Sequence, residues 1–369
     1  MKRILCIVGS MNAGGAETFL MKLYRNLDRT QYQMDFCVAI KEPGIYDDEI
    51  RSLGGKIFYT IPKSKGILKS FNAIRNIVSK NQYSYVMRVS QHSLSGLELL
   101  AAKMGGAKTT VFRSSNTQTG GGTLNRILHK ICLPITMYVP DVKIAPSTEA
   151  ADFMFGKNSV KKRDAVILPN ALDLKVFAFN QEIRNTVRAE LGIEDRFVVG
   201  HIGRFSQQKN HEFLIEIFLE IKKLRRNAFL LLIGKGELMD KVQKQVDEKG
   251  LGDSVKFLGV RKDVSSLLSA MDIFIFPSFF EGMPNTVIEA QTSGLPCLVA
   301  DTITKEAEVT KLVRFMGLYD KADVWAGAAI KMGEANISRE NVEKEMALKG
   351  YEIKECTQRF VELVFKQEK

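Results

Sequence analysis

The stretch FVVGHIGRFSQQKNHEFLIEIF, residues 197–218, begins with an almost continuous apolar run, continues with a short basic segment and ends in an amphipathic run. The first run has the length and composition of a strand buried on both faces, and the last has the spacing of a helix. Further apolar runs of the same kind follow, again with helical stretches between them: AFLLLIG, VKFLG, DIFIFPS and PCLVA. This alternation predicts a parallel sheet covered by helices on both faces.

An equivalent series fills the first half of the chain, with the runs RILCIVG, YQMDFCVAI, KIFYTI, YSYVMRV, KTTVFR and VKIAPS. A connector rich in Pro, Asn and Asp, residues 167–196, separates the two series. A chain of 369 residues is also too long for one ordinary core. We therefore predict an α/β protein with two doubly wound, Rossmann-like domains at 1–170 and 197–350, joined by a linker at 171–196. The segment 351–369 is interpreted as a helix, and its packing on the first domain is an option that the sequence leaves open.

The composition, with 45% hydrophobic and 26% charged residues, is typical of a soluble globular protein. The apolar run in MKRILCIVGS is too short for a secretory signal, and no window approaches the roughly 20 apolar residues of a membrane helix. The five cysteines are scattered and lack CxxC spacing, which suits a reducing compartment. The expected location is the cytoplasm.

The positive charge is concentrated in the first half of the chain. Residues 1–170 contain 24 Lys and Arg against 12 Asp and Glu, whereas the remainder contains 29 against 30. Two basic amphipathic stretches, 63–80 and 123–139, carry part of this excess. Such stretches dock enzymes reversibly on acidic membranes, so we expect peripheral binding to the inner face of the plasma membrane. A generic solvated basic face, or two core helices with snorkelling lysines, are the alternatives.

Three loops in the second half follow predicted strands and carry groups suited to a phosphorylated ligand. The first contains Arg204 and Lys209, the second contains the turn at Gly234, and the third leads into a helix that is predicted to start at 284–286. A helix N-terminus has unpaired N–H groups and a partial positive charge, and an arginine and a lysine beside it would neutralise a diphosphate.

Two glutamates flank the third loop, in FPSFFEGMPNTVIEAQTSGLP, residues 276–296. A carboxylate accepts two hydroxyl hydrogen bonds at once, so Glu289 suits a ribose diol and Glu281 suits a second sugar ring. Ribose, two phosphates and a hexose are the parts of a nucleotide sugar.

HIGRFSQQKNHEFLIEIF, IGKGELMDKVQ, VKFLG and FPSFFEGMPNTVIEAQTSGLPCLVA resemble the retaining, nucleotide-sugar-dependent glycosyltransferases of the GT-B fold, family-4 type. Glu281-x7-Glu289 matches the paired-glutamate motif of that family, and GSMNAGGAE and ILPNALD resemble its segments in the first domain. The likeness is greatest to bacterial enzymes of capsule, exopolysaccharide and O-antigen synthesis. It implies two domains that face each other across a cleft.

The resemblance also implies roles for individual residues. Arg204, Lys209 and Glu281 would be catalytic, with both cations on the donor diphosphate and Glu281 on the donor sugar. The remaining donor-binding residues would be Gly14, Gly15, Gly234, Val260, Arg261, Gly282, Met283, Asn285, Thr286 and Glu289, with the base near 259–261.

The reaction implied is transfer of a hexose or N-acetylhexosamine from a nucleotide sugar, a UDP-sugar being the commonest in the family, to a saccharide hydroxyl with retention. The acceptor would be linked to polyprenyl diphosphate. The sequence singles out no carboxylate as a covalent nucleophile. The resemblance implies front-face transfer instead. No Asp-x-Asp motif occurs in the sequence, so neither a metal nor another cofactor is expected.

Three further residues are candidates for the sugar or acceptor side. His92 follows a predicted strand, but it is also suited to capping a helix. Relatives often have a histidine where this chain has Arg113-Ser114-Ser115-Asn116. We therefore assign Arg113 to an anionic acceptor group and include Asn116 as a candidate.

Four other functions compete with this interpretation. A nucleotide-sugar 2-epimerase of the same architecture and transfer to a soluble small acceptor stay open. A nicotinamide-dependent dehydrogenase is disfavoured because GSMNAGGAE does not fit GxGxxG. A nucleic-acid-binding module is disfavoured because the basic half lacks interleaved aromatic residues.

Overall fold

The computed structural model describes residues 1–12, 14–40, 42–117, 122–335 and 337–366. It divides the chain into two compact units. The first comprises Met1–Leu172 together with the chain from Gly350 onward, and the second comprises Asp173–Lys349.

The first unit contains a parallel sheet in the order β3-β2-β1-β4-β5-β6-β7. Its strands are β1 Lys2–Val8, β2 Tyr32–Val38, β3 Ile57–Tyr59, β4 Tyr85–Ser90, β5 Thr109–Ser114, β6 Val142–Ala145 and β7 Val166–Ile167. Its helices before the boundary are α1 Gly15–Asn26, α2 Asp47–Ser52, α3 Ile67–Asn81, α4 Gly96–Met104, α5 Thr123–Tyr138 and α6 Thr148–Phe155.

The second unit repeats the design with a parallel sheet in the order β10-β9-β8-β11-β12-β13. Its strands are β8 Phe197–Ile202, β9 Ala228–Ile233, β10 Val255–Gly259, β11 Ile273–Phe276, β12 Cys297–Ala300 and β13 Val313–Met316. Its helices are α7 Leu174–Phe177, α8 Gln181–Leu191, α9 His211–Leu224, α10 Met239–Glu248, α11 Val264–Ala270, α12 Asn285–Thr292, α13 Ala322–Gly333 and α14 Val342–Leu348. The predicted fold class, two Rossmann-like parallel-sheet domains, is confirmed.

The last helix, α15 Ile353–Phe365, belongs to the core of the first unit. Ile353, Phe360 and Val364 are buried in one cluster with residues of α1, β1 and β2. The amphipathic spacing of the helix explains this, since its apolar side chains recur on one face and need a core to cover them.

In both sheets the strand order reverses beside the first strand, between β1 and β4 and between β8 and β11. Ligands of open parallel sheets bind outside the carboxyl ends of the strands at this switch point. The loops after β8 and β11 are therefore where a site is expected in the second unit.

Candidate functional site

The loops after β8 and β9 are fixed against each other through their main chains. The N–H of Phe205 donates to the carbonyl of Lys235 over 3.2 Å. A Cβ atom at Gly234 would lie 2.0 Å from the carbonyl oxygen of Gly203, and one at Gly236 would lie 2.4 Å from that of Phe205. Gly234 also has a φ of 136°, which L side chains rarely adopt. Glycine is thus required for this close approach.

The loops after β8 and β11 are joined in the same way. Gln208 accepts a hydrogen bond from the N–H of Phe279 at its carbonyl (2.9 Å) and donates from its side-chain amide to the carbonyl of Phe280 (2.9 Å). These bonds place Lys209 next to Glu281. The lysine ammonium donates to the carboxylate over 2.7 Å, and the two side chains are only 15% and 13% exposed.

Lys209 is held from a second side by an aromatic ring. Its ammonium lies 4.5 Å from the ring centre of Phe276, at the end of β11, within the range of a cation–π interaction. An ammonium has three N–H donors, so a lysine bonded to Glu281 retains the capacity to bind an anion. The lysine is thus oriented before a ligand arrives.

Helix α12 begins beside this pair, at Asn285, with Pro284 as its N-cap. The predicted helix start is confirmed. Gly282 and Met283 are buried, and the Thr286 hydroxyl is buried without a hydrogen-bond partner among the described residues. The first N–H groups of a helix lack intrahelical acceptors. Glu289 is half-buried one turn further along α12.

Arg204 is placed differently from Lys209. Its guanidinium donates from Nε (3.2 Å) and Nη2 (3.1 Å) to one carboxylate oxygen of Glu237, two residues before α10 begins. The two side chains are 73% and 55% exposed. Arg204 and Lys209 therefore come from one loop, but they form ion pairs with different carboxylates, Glu237 and Glu281.

The segment predicted to lie near the base follows β10. The carbonyl of Gly259 accepts from the N–H of Gly234 over 2.8 Å, which joins this loop to the one after β9. Val260 is exposed, and the Arg261 guanidinium donates two hydrogen bonds to Asp263, at 2.7 and 2.5 Å. This pairing raises the pKa of Arg261.

Two buried histidines behind the β8 loop were not singled out by the sequence reasoning. His211, in the first turn of α9, stacks on Phe205 at 4.1 Å and meets His201 edge-to-face at 4.7 Å. Burial, with the nearby charge of Lys209, lowers the pKa of His211 to about 4. Burial also lowers the pKa of His201 well below its usual value. Both rings are therefore neutral and pack against the loop that carries the cations. The two histidines are ten positions apart in the sequence, a spacing that does not indicate that their rings are in contact.

In the first unit, Gly14 caps α1 and Gly15 starts it, after the carboxyl end of β1. His92 caps the short helix that follows β4. Its Nδ1 accepts from the N–H of Leu94 (3.1 Å), so its Nε2 carries the proton and donates to the carbonyl of Asn125 (3.1 Å). Both ring nitrogens are thus used locally, as the capping alternative predicts.

The placement of Arg113 does not support the acceptor role predicted for it. Its side chain is buried, donates to the side-chain oxygen of Asn170 (2.5 Å) and lies 3.6 Å over the ring of Phe19. Burial lowers its pKa to about 10. The residue is engaged in the core because β5 is a central strand whose side chains are covered on both faces. Asn116 is half-buried, and its side-chain oxygen accepts from the N–H of Thr117 (2.8 Å).

The described residues contain no group of three or more His, Cys, Asp and Glu that could hold a metal ion. Their five cysteines, Cys6, Cys37, Cys132, Cys297 and Cys356, are free and buried.

Comparison with known proteins gives the family. Residues 183–323 match the family described as glycosyl transferases group 1. The chain is 32% identical to the putative glycosyltransferase EpsF of Bacillus subtilis over 358 residues, 95% of this chain and 93% of that protein. It is 34% identical over 140 residues, 37% of this chain and 36% of the relative, to an Escherichia coli UDP-Gal:alpha-D-GlcNAc-diphosphoundecaprenol alpha-1,3-galactosyltransferase.

Among solved structures, Anabaena HepE in complex with UDP-glucose is similar, with a TM-score of 0.79. The match covers 98% of this chain and 99% of HepE at 18% identity, so it shows the shared fold. Since the likeness to EpsF extends over nearly the whole of both chains, the protein belongs to the group 1 glycosyltransferases.

Proposed function

We propose that the protein transfers a hexose or N-acetylhexosamine from a UDP-sugar to a saccharide hydroxyl in the synthesis of a bacterial surface polysaccharide. The observation that carries this proposal is the Lys209–Glu281 pair beside the start of α12. A cation and the N–H groups at a helix start suit a diphosphate, and the adjacent carboxylate suits the hydroxyls of the attached sugar. The E. coli relative, which matches over 140 residues, is named for a UDP-sugar donor.

Each group then has a proposed role in donor binding. Lys209, Arg204 and the N–H groups of Met283, Asn285 and Thr286 bind the diphosphate. Glu289 accepts from the ribose hydroxyls, one turn into α12. Glu281 accepts from a hydroxyl of the donor sugar while it holds Lys209. Of the other donor-side residues that the resemblance implies, Gly234, Val260, Arg261 and Gly282 lie in the loops after β9, β10 and β11 of the second unit, and Gly14 and Gly15 follow β1 in the first unit.

The proposed reaction retains the configuration at the anomeric carbon. The bond from this carbon to the diphosphate breaks, the acceptor oxygen bonds on the same face, and the acceptor proton passes to an oxygen of the departing diphosphate. The protein has to orient both substrates and stabilise the charge that develops on the leaving group. Lys209 and Arg204 supply that positive charge, so the proposal requires no metal ion.

Thermal-shift measurements with UDP-, GDP- and ADP-sugars test the donor assignment, because a ligand that binds the folded state raises the melting temperature by mass action. We expect stabilisation by UDP and UDP-sugars and none by the corresponding sugars alone. Addition of EDTA should leave the shift unchanged. Stabilisation by none of the nucleotides would contradict the proposal.

For the acceptor, we propose a saccharide on polyprenyl diphosphate, reached at the inner face of the plasma membrane. Two observations support this. The E. coli relative is named for a diphosphoundecaprenol acceptor. In addition, α5 exposes a row of apolar side chains next to Arg126 and Lys130: Leu124, Ile127, Leu128, Ile131 and Tyr138. Such a row beside basic residues is suited to the interface of an anionic membrane.

The other basic stretch, 63–80, contributes less to this surface than predicted. Ile74 and Val78 are buried in the core, and Lys63 is bonded to Ser95 (2.7 Å) and Glu98 (3.4 Å). Only its beginning, at Ile67 and Leu68, exposes large apolar side chains. No helix in the described ranges has both the length and the apolar character needed to cross a bilayer.

Co-sedimentation with vesicles that contain anionic lipid tests the membrane proposal at low salt. Leu124→Glu and Ile131→Glu, both at exposed positions of α5, should abolish binding. Leu348→Glu is the matched control, because Leu348 is also a largely exposed apolar residue but lies in the second unit. Absence of wild-type binding, or equal binding by all variants, would overturn the membrane proposal and favour a soluble acceptor.

A further inference from the structure

We propose that Glu237 competes with the donor diphosphate for Arg204, so that this glutamate weakens the binding of donor and of released UDP. The inference rests on the proposed function, because it takes Arg204 as a ligand of the diphosphate. It assigns a role to a residue that neither the paired-glutamate motif nor the position of the helix start had indicated.

The competition follows from the geometry of the ion pair. A single oxygen of Glu237 accepts from both Nε and Nη2 of Arg204, at 3.2 and 3.1 Å. It therefore occupies the side edge of the guanidinium, one of the two edges at which arginine binds a phosphate oxygen. A phosphate oxygen at that edge and the carboxylate of Glu237 exclude each other.

The backbone keeps the two side chains close. Arg204 precedes Phe205, and Glu237 follows Gly236, where a Cβ atom would lie 2.4 Å from the Phe205 carbonyl oxygen. Two main-chain hydrogen bonds join the loops at this contact, from the N–H of Phe205 to the carbonyl of Lys235 (3.2 Å) and from the N–H of Leu238 to the carbonyl of Phe205 (3.0 Å), so the backbone holds the pair together. Exchange of the carboxylate for a phosphate must instead occur by rotation of the side chains, and both are mostly exposed and able to rotate.

The contrast with Lys209 and Glu281 shows why Glu237 is the exchangeable partner. Glu281 is 13% exposed and bonded in a covered position, whereas Glu237 is 55% exposed and can move into water. Before a donor binds, each of the two cations faces one carboxylate. When Glu237 is displaced, Arg204 can bind the diphosphate. When Glu237 pairs with Arg204 again, it favours the release of UDP. Backbone hydrogen bonding and, to a smaller extent, the charge of Arg204 lower the pKa of Glu237, which keeps it ionised.

Isothermal titration of the full chain with UDP at low salt tests the inference. Since removal of one charge near a multiply charged anion relieves a repulsion of order RT or more, we expect Glu237→Gln to bind UDP about three- to tenfold more tightly. The gain should shrink at high salt, where exposed charges are screened. Glu248→Gln, which removes an exposed charge from the other end of α10, should bind like the wild type.

The same Glu237→Gln substitution in an Arg204→Gln variant separates competition for Arg204 from a general effect of the Glu237 charge on UDP binding. In Arg204→Gln, the additional change Glu237→Gln should give a smaller gain than it gives in the wild type. Unchanged or weaker binding of UDP by Glu237→Gln, or an equal gain in both backgrounds, would overturn the inference while leaving the proposed function intact. Failure of the wild type to bind UDP, GDP or ADP would overturn the proposed function and the inference with it.

Discussion

Replacement of Lys209 by Met removes the ammonium while retaining an unbranched side chain over the ring of Phe276. Two effects should follow. Glu281 loses a 2.7 Å charge-assisted hydrogen bond in a position where it is 13% exposed, which should cost about 1.5–3 kcal/mol of the free energy of unfolding. For a chain or domain of this size, each kcal/mol lowers the melting temperature by about 2–4 °C.

The second effect concerns the reaction. Lys209 is proposed to stabilise charge on the departing diphosphate, and loss of one such donor typically reduces kcat by about 10²–10³, or roughly 3–4 kcal/mol. Turnover should be measured with a labelled UDP-sugar and the acceptor, and stability should be measured in parallel by thermal denaturation.

The double variant Lys209→Met/Glu281→Gln separates the two effects. It also removes the carboxylate charge that Lys209 balances, so it should recover most of the lost stability while turnover stays low. If Lys209→Met alone kept near-normal turnover, or if the double variant recovered turnover together with stability, Lys209 would be a structural residue and the reasoning would be refuted.

Three further predictions follow from the geometry. The folded-state pKa of His211, about 4, lies below its usual 6.5, so the unfolded state binds more protons between these values and stability should fall as the pH is lowered from 6.5 to 4. The melting temperature of His211→Phe should therefore fall less over this pH range than that of the wild type. An equal fall in both proteins would contradict the prediction. Gly234→Ala places a Cβ atom 2.0 Å from a backbone oxygen and should destabilise the second unit by more than about 2 kcal/mol and weaken UDP binding, whereas Gly252→Ala, with open space around it, should do neither. Arg113→Met removes the hydrogen bond from Arg113 to Asn170 and should cost about 1–3 kcal/mol of stability, measured by chemical denaturation, without changing the KM for the acceptor.

The repeated units could be predicted from the sequence because their strands are buried on both faces. Runs such as AFLLLI in β9 are nearly all apolar, and the helices between them have regular apolar spacing. β7, with two residues, and β13, in which Arg314 interrupts the apolar run, were not among the predicted strands, because their patterns are too short or too mixed to separate them from loops.

The candidate site could be predicted only as a set of loops. Order along the chain places Lys209, Glu281 and the start of α12 after adjacent strands, and the structure brings the first two into contact. Which cation meets which carboxylate depends on side-chain direction, so the Arg204–Glu237 pair was not predicted. The burial of Arg113 was also missed. An arginine in a strand is expected to be accessible, and its burial depends on the packing of neighbouring elements, which the sequence pattern does not specify.

A crystal structure of the protein with bound UDP would test the proposed donor site most directly. We predict that the diphosphate lies about 3 Å from the Lys209 ammonium and from N–H groups at the start of α12, with Glu289 bonded to the ribose and Glu237 turned away from Arg204. UDP bound elsewhere, or a diphosphate remote from Lys209 and α12, would contradict the account.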